Sequence, residues 1–303
     1  MPHTLTRPVV AAREYADPTP TRGAAETVVR GRHPMACNGP MTPDDLLARF
    51  HSQVRLADRD AAPGFVVERD GPVHRTYPPE PAALGAMVEC PEGLGDDPDA
   101  WIARQVEFFA GRGQRLEWKT YGYDEPADLP ARLERVGFVP EDPEVVLLGQ
   151  CADLVHDVEL PFGVRLHEPA TDEDWARVRT LLTQVWGEHG VDIADSLREE
   201  QQARPDLMAT KVVEEVATGA VVSYAVLRMT EGTQFCGLWG GSTLPSWRRR
   251  GLYRALVSHR ASMALERGYT LARVDTSPDS RPILLRLGLR PVADTRPYVL
   301  SDS

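Results

Sequence analysis

The sequence predicts an α/β chain made of two related halves, each a sheet with helices on its faces. Three observations carry this. First, 303 residues, at about 100 to 200 residues per domain, make two domains that can each bury a core. Second, Leu133-Glu-Arg-Val-Gly-Phe-Val-Pro140 aligns without gaps on Leu284-Leu-Arg-Leu-Gly-Leu-Arg-Pro291, which marks the halves as duplicates. Third, helical runs closing at Gly113 and at Gly268 are each followed directly by a strand, Arg115 to Tyr121 and Thr270 to Ser277, so both halves alternate strands with helices. The first half carries a few extra residues between Tyr123 and Asp128, an insertion that a loop tolerates.

Composition narrows the function classes. Hydrophobic residues make up 42% and charged residues 26%, ordinary for a globular protein, and no run of about 18 apolar residues can cross a bilayer. Lys+Arg 34 against Asp+Glu 45 gives a net charge of −11, which argues against nucleic-acid binding driven by global charge. Any anion has to be held by a local site. Lys119 and Lys211 are the only lysines, and the abundance of Arg, Ala and Pro points to a GC-rich bacterial genome. Cys37, Cys90, Cys151 and Cys236 are widely spaced without a C-x-x-C pair, which disfavours a disulfide scaffold and a metal site. With no apolar segment before a cleavage site, the expected compartment is the reducing cytoplasm.

Along the chain, residues 1–40 show neither a period of 2 nor one of 3.6 and read as a disordered extension. Whether they are a native arm or precede an alternative start at Met41 is left open by the sequence. From Thr42, Pro43, Asp44 and Asp45, an N-cap, a first-turn proline and first-turn acids start a helix expected over Asp44 to Leu56. The first domain is expected over residues 41–150, ending in a strand from Glu144 to Leu148. A linker over 151–162, with Pro161 and Gly163 at its end, leads into the second domain, 163–303.

The stretch Phe235 to Val257 is the most informative. It reads as strand, tight turn and helix. Gly237, Gly240 and Gly241 suggest a bulge or a ligand lying against the backbone, and Pro245 ends the strand. Arg248, Arg249, Arg250 and Gly251 then precede a helix to about Arg267, with Leu252, Ala255, Leu256, His259 and Met263 expected on one side. A helix N-terminus offers unpaired N–H groups and positive potential, so it attracts a phosphate or pyrophosphate. Neither G-x-x-x-x-G-K-[ST] nor G-x-G-x-x-G is present, so ATP and NAD lack their signatures.

Arg248-Arg-Arg-Gly251-Leu-Tyr253 resembles the [RQ]-x-x-G-x-[GA] loop of the GNAT superfamily of acyl-CoA-dependent N-acyltransferases, with Tyr253 departing from its last position. The resemblance runs from Val164, where Val164 to Asp174 looks like the first strand and the start of the first helix. It implies two tandem GNAT-like domains of the α+β type, each with a mixed, mostly antiparallel sheet and helices on both faces. It also implies acetyl-CoA or another acyl-CoA as co-substrate. Thr243 and Leu244 would pair with the pantetheine arm, and Arg249, Arg250, Gly251, Leu252, Tyr253 and Arg254 would cradle the pyrophosphate. Ser277 stands where the family commonly has Asn, and Leu284 where it often has the Tyr that protonates the leaving thiolate.

For a base able to act on the attacking amine, Asp275, Glu188 and His189 are the candidates, with Asp275 and Glu188 preferred. Ser277 completes the candidate catalytic set. Trp186, Tyr224, Trp239 and Trp247 could wall an acceptor pocket or belong to the core. In the first half Glu92, Asp96, Asp97 and Asp99 replace the arginines and would repel a pyrophosphate. That half is expected to bind no coenzyme A and to complete the acceptor cleft through Glu117 to Tyr123. The expected activity is acetyl transfer from acetyl-CoA to a primary amine of a small molecule by direct attack. The charge of −11 favours a cationic acceptor, and no nucleic-acid or membrane partner is expected. A monomer and a homodimer stay open, and the rival reading is an acyl-CoA-binding sensor or interaction module.

Overall fold

A computed structural model describes residues 41–57, 64–81, 85–278 and 280–300. The extension read as disordered, with Cys37, lies outside them. Thr42 and Asp45 form a capping box that starts α1 (Pro43–Phe50), and the chain continues as a π-helical turn, His51–Arg55. The expected helix is therefore real but changes its winding at His51. There follow β1 (Val66–Asp70), β2 (Val73–Tyr77), β3 (Ala86–Glu89), α2 (Pro98–Ala110), β4 (Leu116–Tyr121), α3 (Leu129–Val136), β5 (Val139–Pro140) and β6 (Glu144–Gln150).

The second series runs α4 (Cys151–Leu154), β7 (Val164–His167), α5 (Asp172–Trp186), α6 (His189–Ala203), β8 (Met208–Glu215), β9 (Val221–Met229) and β10 (Phe235–Thr243). A 3-10 turn (Pro245–Trp247), α7 (Leu252–Glu266), β11 (Leu271–Thr276), α8 (Arg281–Arg286) and β12 (Arg290–Leu300) complete it. A second capping box, Thr171 with Asp174, starts α5; each box satisfies two backbone donors that a helix start would otherwise leave unpaired.

The duplication seen in the sequence is a structural one. α3 stops at Gly137 with φ 109° and α8 is followed by Gly288 with φ 106°, a conformation that costs glycine nothing. The aligned Leu133 and Leu284 are both fully buried, and Phe138 and Leu289 are both 2% exposed. Each half also has one parallel pair, β3 with β4 and β10 with β11, while the other strand pairs are antiparallel.

The two expected sheets are one. Its order is β1-β2-β3-β4-β12-β6-β11-β10-β9-β8-β7, with β5 beside β12. The halves have exchanged their last strands. β6 pairs with β11 along six residues, Leu271↔Gln150 to Thr276↔Val145, and β12 pairs with β4 along six, Thr295↔Tyr121 to Leu300↔Leu116. The stretch read as a linker is likewise anchored, because Cys151 and Leu154 of α4 are fully buried in one cluster with Val257, Ala261 and Ala264 of α7.

Side-chain alternation on the strands separates two faces. On β4, Trp118 belongs to a cluster with Ile102 and Phe109 of α2 and Leu129 and Leu133 of α3. Tyr121, pointing the other way, packs with Leu46 and Phe50 of α1, Val54 and Phe235. In the second half α5 and α6 pack on β8 and β9 through Val178, Leu182, Leu197, Val212 and Tyr224. Each such fully buried Leu or Phe contributes about 1.5–3 kcal/mol. α7 lacks the single apolar stripe expected of it. Leu252, Ala255, Leu256, Val257, Ser258, Arg260, Ala261 and Ala264 are buried whereas His259 is exposed, because the helix is covered by the sheet on one side and by α4 on another. No helix among the described residues is long and apolar enough to cross a membrane.

Candidate functional site

The site begins where two parallel strands part. β10 and β11 pair only through Phe235↔Leu271, Cys236↔Ala272 and Gly237↔Arg273. Beyond Gly237, β10 stays with β9 and β11 stays with β6, so facing backbone edges are left without a ladder partner. A β-bulge between Trp239 and Ser242 bends β10 further, as a bulge does. The glycines read from sequence sit at this bend. The room beside each is taken by an aromatic ring of the chain: a Cβ on Gly237 would collide with the Trp239 indole, one on Gly240 would lie 3.3 Å from the Tyr224 hydroxyl, and one on Gly241 would lie 3.0 Å from Tyr253 Cε2.

At the end of β10 the Thr243 hydroxyl is 2.7 Å from that of Ser223, and Arg248 Nε donates to the Thr243 carbonyl at 3.2 Å. The Leu244 N–H donates to Val222 on β9, so it is not free for a ligand. Strand alternation turns the Thr243 amide the other way. The turn that follows is exposed at Arg248, Arg249 and Arg250, with the Arg250 guanidinium 4.6 Å from the Trp247 ring centre. Gly251 caps α7 with φ 84°, and a Cβ there would meet nothing within 4 Å. Arg249 also has a positive φ, 61°, a conformation that costs a side-chain-bearing residue about 1–2 kcal/mol. Among the described residues Arg249, Arg250 and Arg254 form no ion pair. The sequence motif thus becomes an exposed run of cations leading into the unpaired amides of a helix start.

Asp275 is not placed as a base. Its carboxylate, 4% exposed, accepts both Nε and Nη2 of Arg273 at 3.2 and 3.0 Å and lies 3.4 Å from Lys119 Nζ. Burial alone would raise its pKa, but Arg273 and Lys119 outweigh burial and hold it below the ordinary carboxylate value. A carboxylate so paired is a poor proton acceptor at neutral pH. Lys119 Nζ also donates to Glu144 Oε2 at 2.6 Å, and Arg273 Nη2 donates to the Tyr121 hydroxyl at 3.2 Å. The Arg273 guanidinium lies 4.8 Å from the Phe50 ring centre and 5.2 Å from that of Trp239. Burial, the largest influence on Tyr121, pushes its hydroxyl up to about 12.

The other candidates lie around this network. Glu188, on the turn between α5 and α6, and His189, the first residue of α6, are exposed; they follow Trp186 and Gly187, and Trp186 packs in one cluster with Tyr224, Trp239 and Leu244. Ser277 follows β11, and its carbonyl accepts the Arg281 N–H at the start of α8. Leu284 is fully buried in the apolar core. In the first half the corresponding helix start is closed by Asp97, whose Oδ1 accepts from the Ala100 N–H at 3.2 Å.

Sequence reasoning missed Phe50, Glu144, Arg260 and Arg273, and it named Lys119 and Tyr121 only within the Glu117 to Tyr123 segment, without this charge network. One signal was present: Arg273 and Asp275, two apart on a strand, share a face. Arg260 gave none. It is 1% exposed, and its guanidinium donates to the carbonyls of Leu256, Val226 and Trp239 at 3.0, 2.7 and 3.3 Å, with no carboxylate partner among the described residues. Among the described residues there is also no cluster of His, Cys, Asp and Glu able to hold a metal.

No protein-family model and no curated protein sequence matches the chain. Solved structures do match its fold. A GCN5-related N-acetyltransferase from Kribbella flavida superposes with a TM-score of 0.64 at 18% identity, covering 87% of this chain and 97% of that one. A GCN5-related N-acetyltransferase from Sphaerobacter thermophilus gives 0.58 at 15%, covering 86% and 94%. A tandem GNAT protein from the clavulanic acid biosynthesis pathway gives 0.57 at 14%, covering 86% and 97%. The similarity spans both halves, and the chain has the fold of these GNAT structures, one of which is a tandem GNAT protein.

Proposed function

We propose that the chain is an acyl-CoA-dependent N-acyltransferase that moves an acetyl group from acetyl-CoA to a primary amine of a small molecule, with the transfer carried out by residues 163–303. The observation that carries this reading is the parting of β10 and β11 next to the N-terminus of α7, where Arg249, Arg250 and Arg254 have no ion-pair partner among the described residues. The residues fit a pyrophosphate. The amides of Gly251, Leu252 and Tyr253 point out of the helix start, and the open space beside Gly251 lets an oxygen approach the backbone. Thr243 offers a strand edge to the amide groups of the pantetheine arm, whereas Leu244 contributes packing rather than its N–H. Asp97 closes the equivalent helix start of the first half, and we assign that half no cofactor.

The donor supplies an activated thioester carbonyl. The neutral amine nitrogen bonds to that carbon, the C–S bond breaks, the nitrogen loses a proton to a base, and the thiolate takes one from water. Backbone amides at the bulge of β10 are the donors available to a developing oxyanion, and holding the amine in line supplies most of the gain. With Asp275 locked by Arg273 and Lys119, Glu188 takes the base role through a water, and Ser277 is left as a hydroxyl at the end of β11. Phe50 and Tyr121 bring the first half to the same network and wall the acceptor side. The net charge of −11 favours a cationic amine.

A second reading, acyl-CoA sensing without turnover, draws on Leu284, because a buried leucine at that place protonates nothing. Calorimetric titration of the full chain with acetyl-CoA, followed by thiol release with a panel of amines, separates the two. Binding at one site per chain with amine-dependent thiol release supports the transferase. Binding with no release from any amine favours the sensor, and absence of binding removes both.

A further inference from the structure

The ring of Tyr253 stands against the backbone of Gly241, on the stretch of β10 that no longer pairs with β11. β10 and β11 part after Gly237, and Gly241 lies four residues further along β10. Tyr253, on the first turn of α7, brings its Cε2 to 3.0 Å and its Cδ2 to 3.5 Å from the point where a Gly241 Cβ would stand. The ring also packs against the apolar cluster to which Leu238 of β10 and Val274 of β11 belong, on the helix that follows the parted end of β10. Gly241 has no need of a left-handed backbone, since its φ is not among the positive ones. Its missing Cβ accommodates this ring, which makes Gly241 and Tyr253 a matched pair.

Resting on the transferase reading above, we propose that Tyr253 is a gating residue: its amide belongs to the pyrophosphate cradle, while its side chain fills the channel between β10 and β11 and has to swing out before the pantetheine arm of an acyl-CoA can enter. A binding-competent state populated only in part lowers apparent affinity by that fraction. The gate therefore weakens ligands that carry the arm and leaves those that lack it unaffected.

The test is calorimetry on the full chain with two probes, acetyl-CoA and adenosine 3′,5′-bisphosphate, which has no pantetheine. Tyr253→Ala is expected to bind acetyl-CoA at least about tenfold more tightly than the unchanged chain, with affinity for the bisphosphate unaltered. Tyr253→Phe keeps the ring and is expected to gain no acetyl-CoA affinity, and urea unfolding of all three chains controls for folding. Equal or weaker acetyl-CoA binding by Tyr253→Ala overturns the gate while leaving the transferase reading in place. Failure of all three chains to bind acetyl-CoA removes the cofactor site itself, and the gate with it.

Discussion

Arg260 donates through Nη1 to the carbonyl of Trp239 at 3.3 Å and to that of Val226 at 2.7 Å, so one buried guanidinium ties the start of the β10 bulge to β9. Burial, the dominant influence, lowers its pKa to about 10, and the charge is accommodated by carbonyl oxygens alone among the described residues. Arg260→Met leaves those two carbonyls to the ladder and removes the brace on the bulge. The expected loss is about 1–3 kcal/mol of stability, read by urea unfolding. A change below about 0.5 kcal/mol would mean that the ladder alone holds the bulge.

Asp275 is the keystone of a charge network rather than a proton acceptor. Asp275→Asn would leave Arg273 and Lys119 buried with one negative partner fewer, at a cost of about 3–5 kcal/mol. Affinity for acetyl-CoA should change little in the fraction that stays folded. The pH dependence follows from its lowered pKa: a depressed carboxylate contributes stability that is present above its unfolded value, about 3.9, and is lost as pH falls below it. The unchanged chain should lose stability steeply below about pH 4 and Asp275→Asn less steeply. Parallel acid curves for the two proteins would contradict this role.

Several of these features were legible in the sequence because they are local. The Leu133 to Pro140 repeat marks a helix ending at a left-handed glycine in both halves, and the Arg248 to Gly251 run does open a helix. The helix start read from Thr42, Pro43, Asp44 and Asp45 is there as a capping box. What escaped is what depends on distant partners. Alternation predicts which face Asp275 lies on, but Lys119 reaches it, and Glu144 reaches Lys119, from strands far away in sequence. The exchange of β6 and β12 left no local signal, since a strand's pattern specifies its buried face and not its neighbour. The glycines of β10 suggested a bulge or a ligand against the backbone; the bulge is there, and the space beside the glycines is taken by rings of Trp239, Tyr224 and Tyr253.

Arg249 holds a left-handed backbone with φ 61° while its side chain is exposed, a combination that packing does not explain. Arg249→Gly relieves about 1–2 kcal/mol of backbone strain, and the freer unfolded chain offsets about 0.4–1 kcal/mol of that gain. Stability should therefore stay the same or rise slightly. Affinity for acetyl-CoA should fall about tenfold or more as a charge-assisted contact to phosphate is lost. A variant that is no less stable and binds equally well would take Arg249 out of the cradle.

The exchanged strands predict how the chain comes apart. Cutting at the expected domain boundary gives fragments 41–150 and 151–303, and each would carry away a strand on which the other depends. The first loses β12, the partner of β4, and the second loses β6, which pairs with both β11 and β12. Each fragment then exposes the edge of a sheet that is central in the whole chain, together with apolar residues such as Val146, Leu148 and Leu271, which cover one another across the cut. Neither fragment should show a cooperative thermal transition alone, because an unpaired central edge and an opened core both oppose folding. Mixed in equal amounts, they should restore one transition and, on the transferase reading, the acetyl-CoA site, since β6 supports β11 on the side away from the cofactor gap. Independent cooperative unfolding of either fragment would show that the exchange contributes little, and that each half closes its sheet without the other.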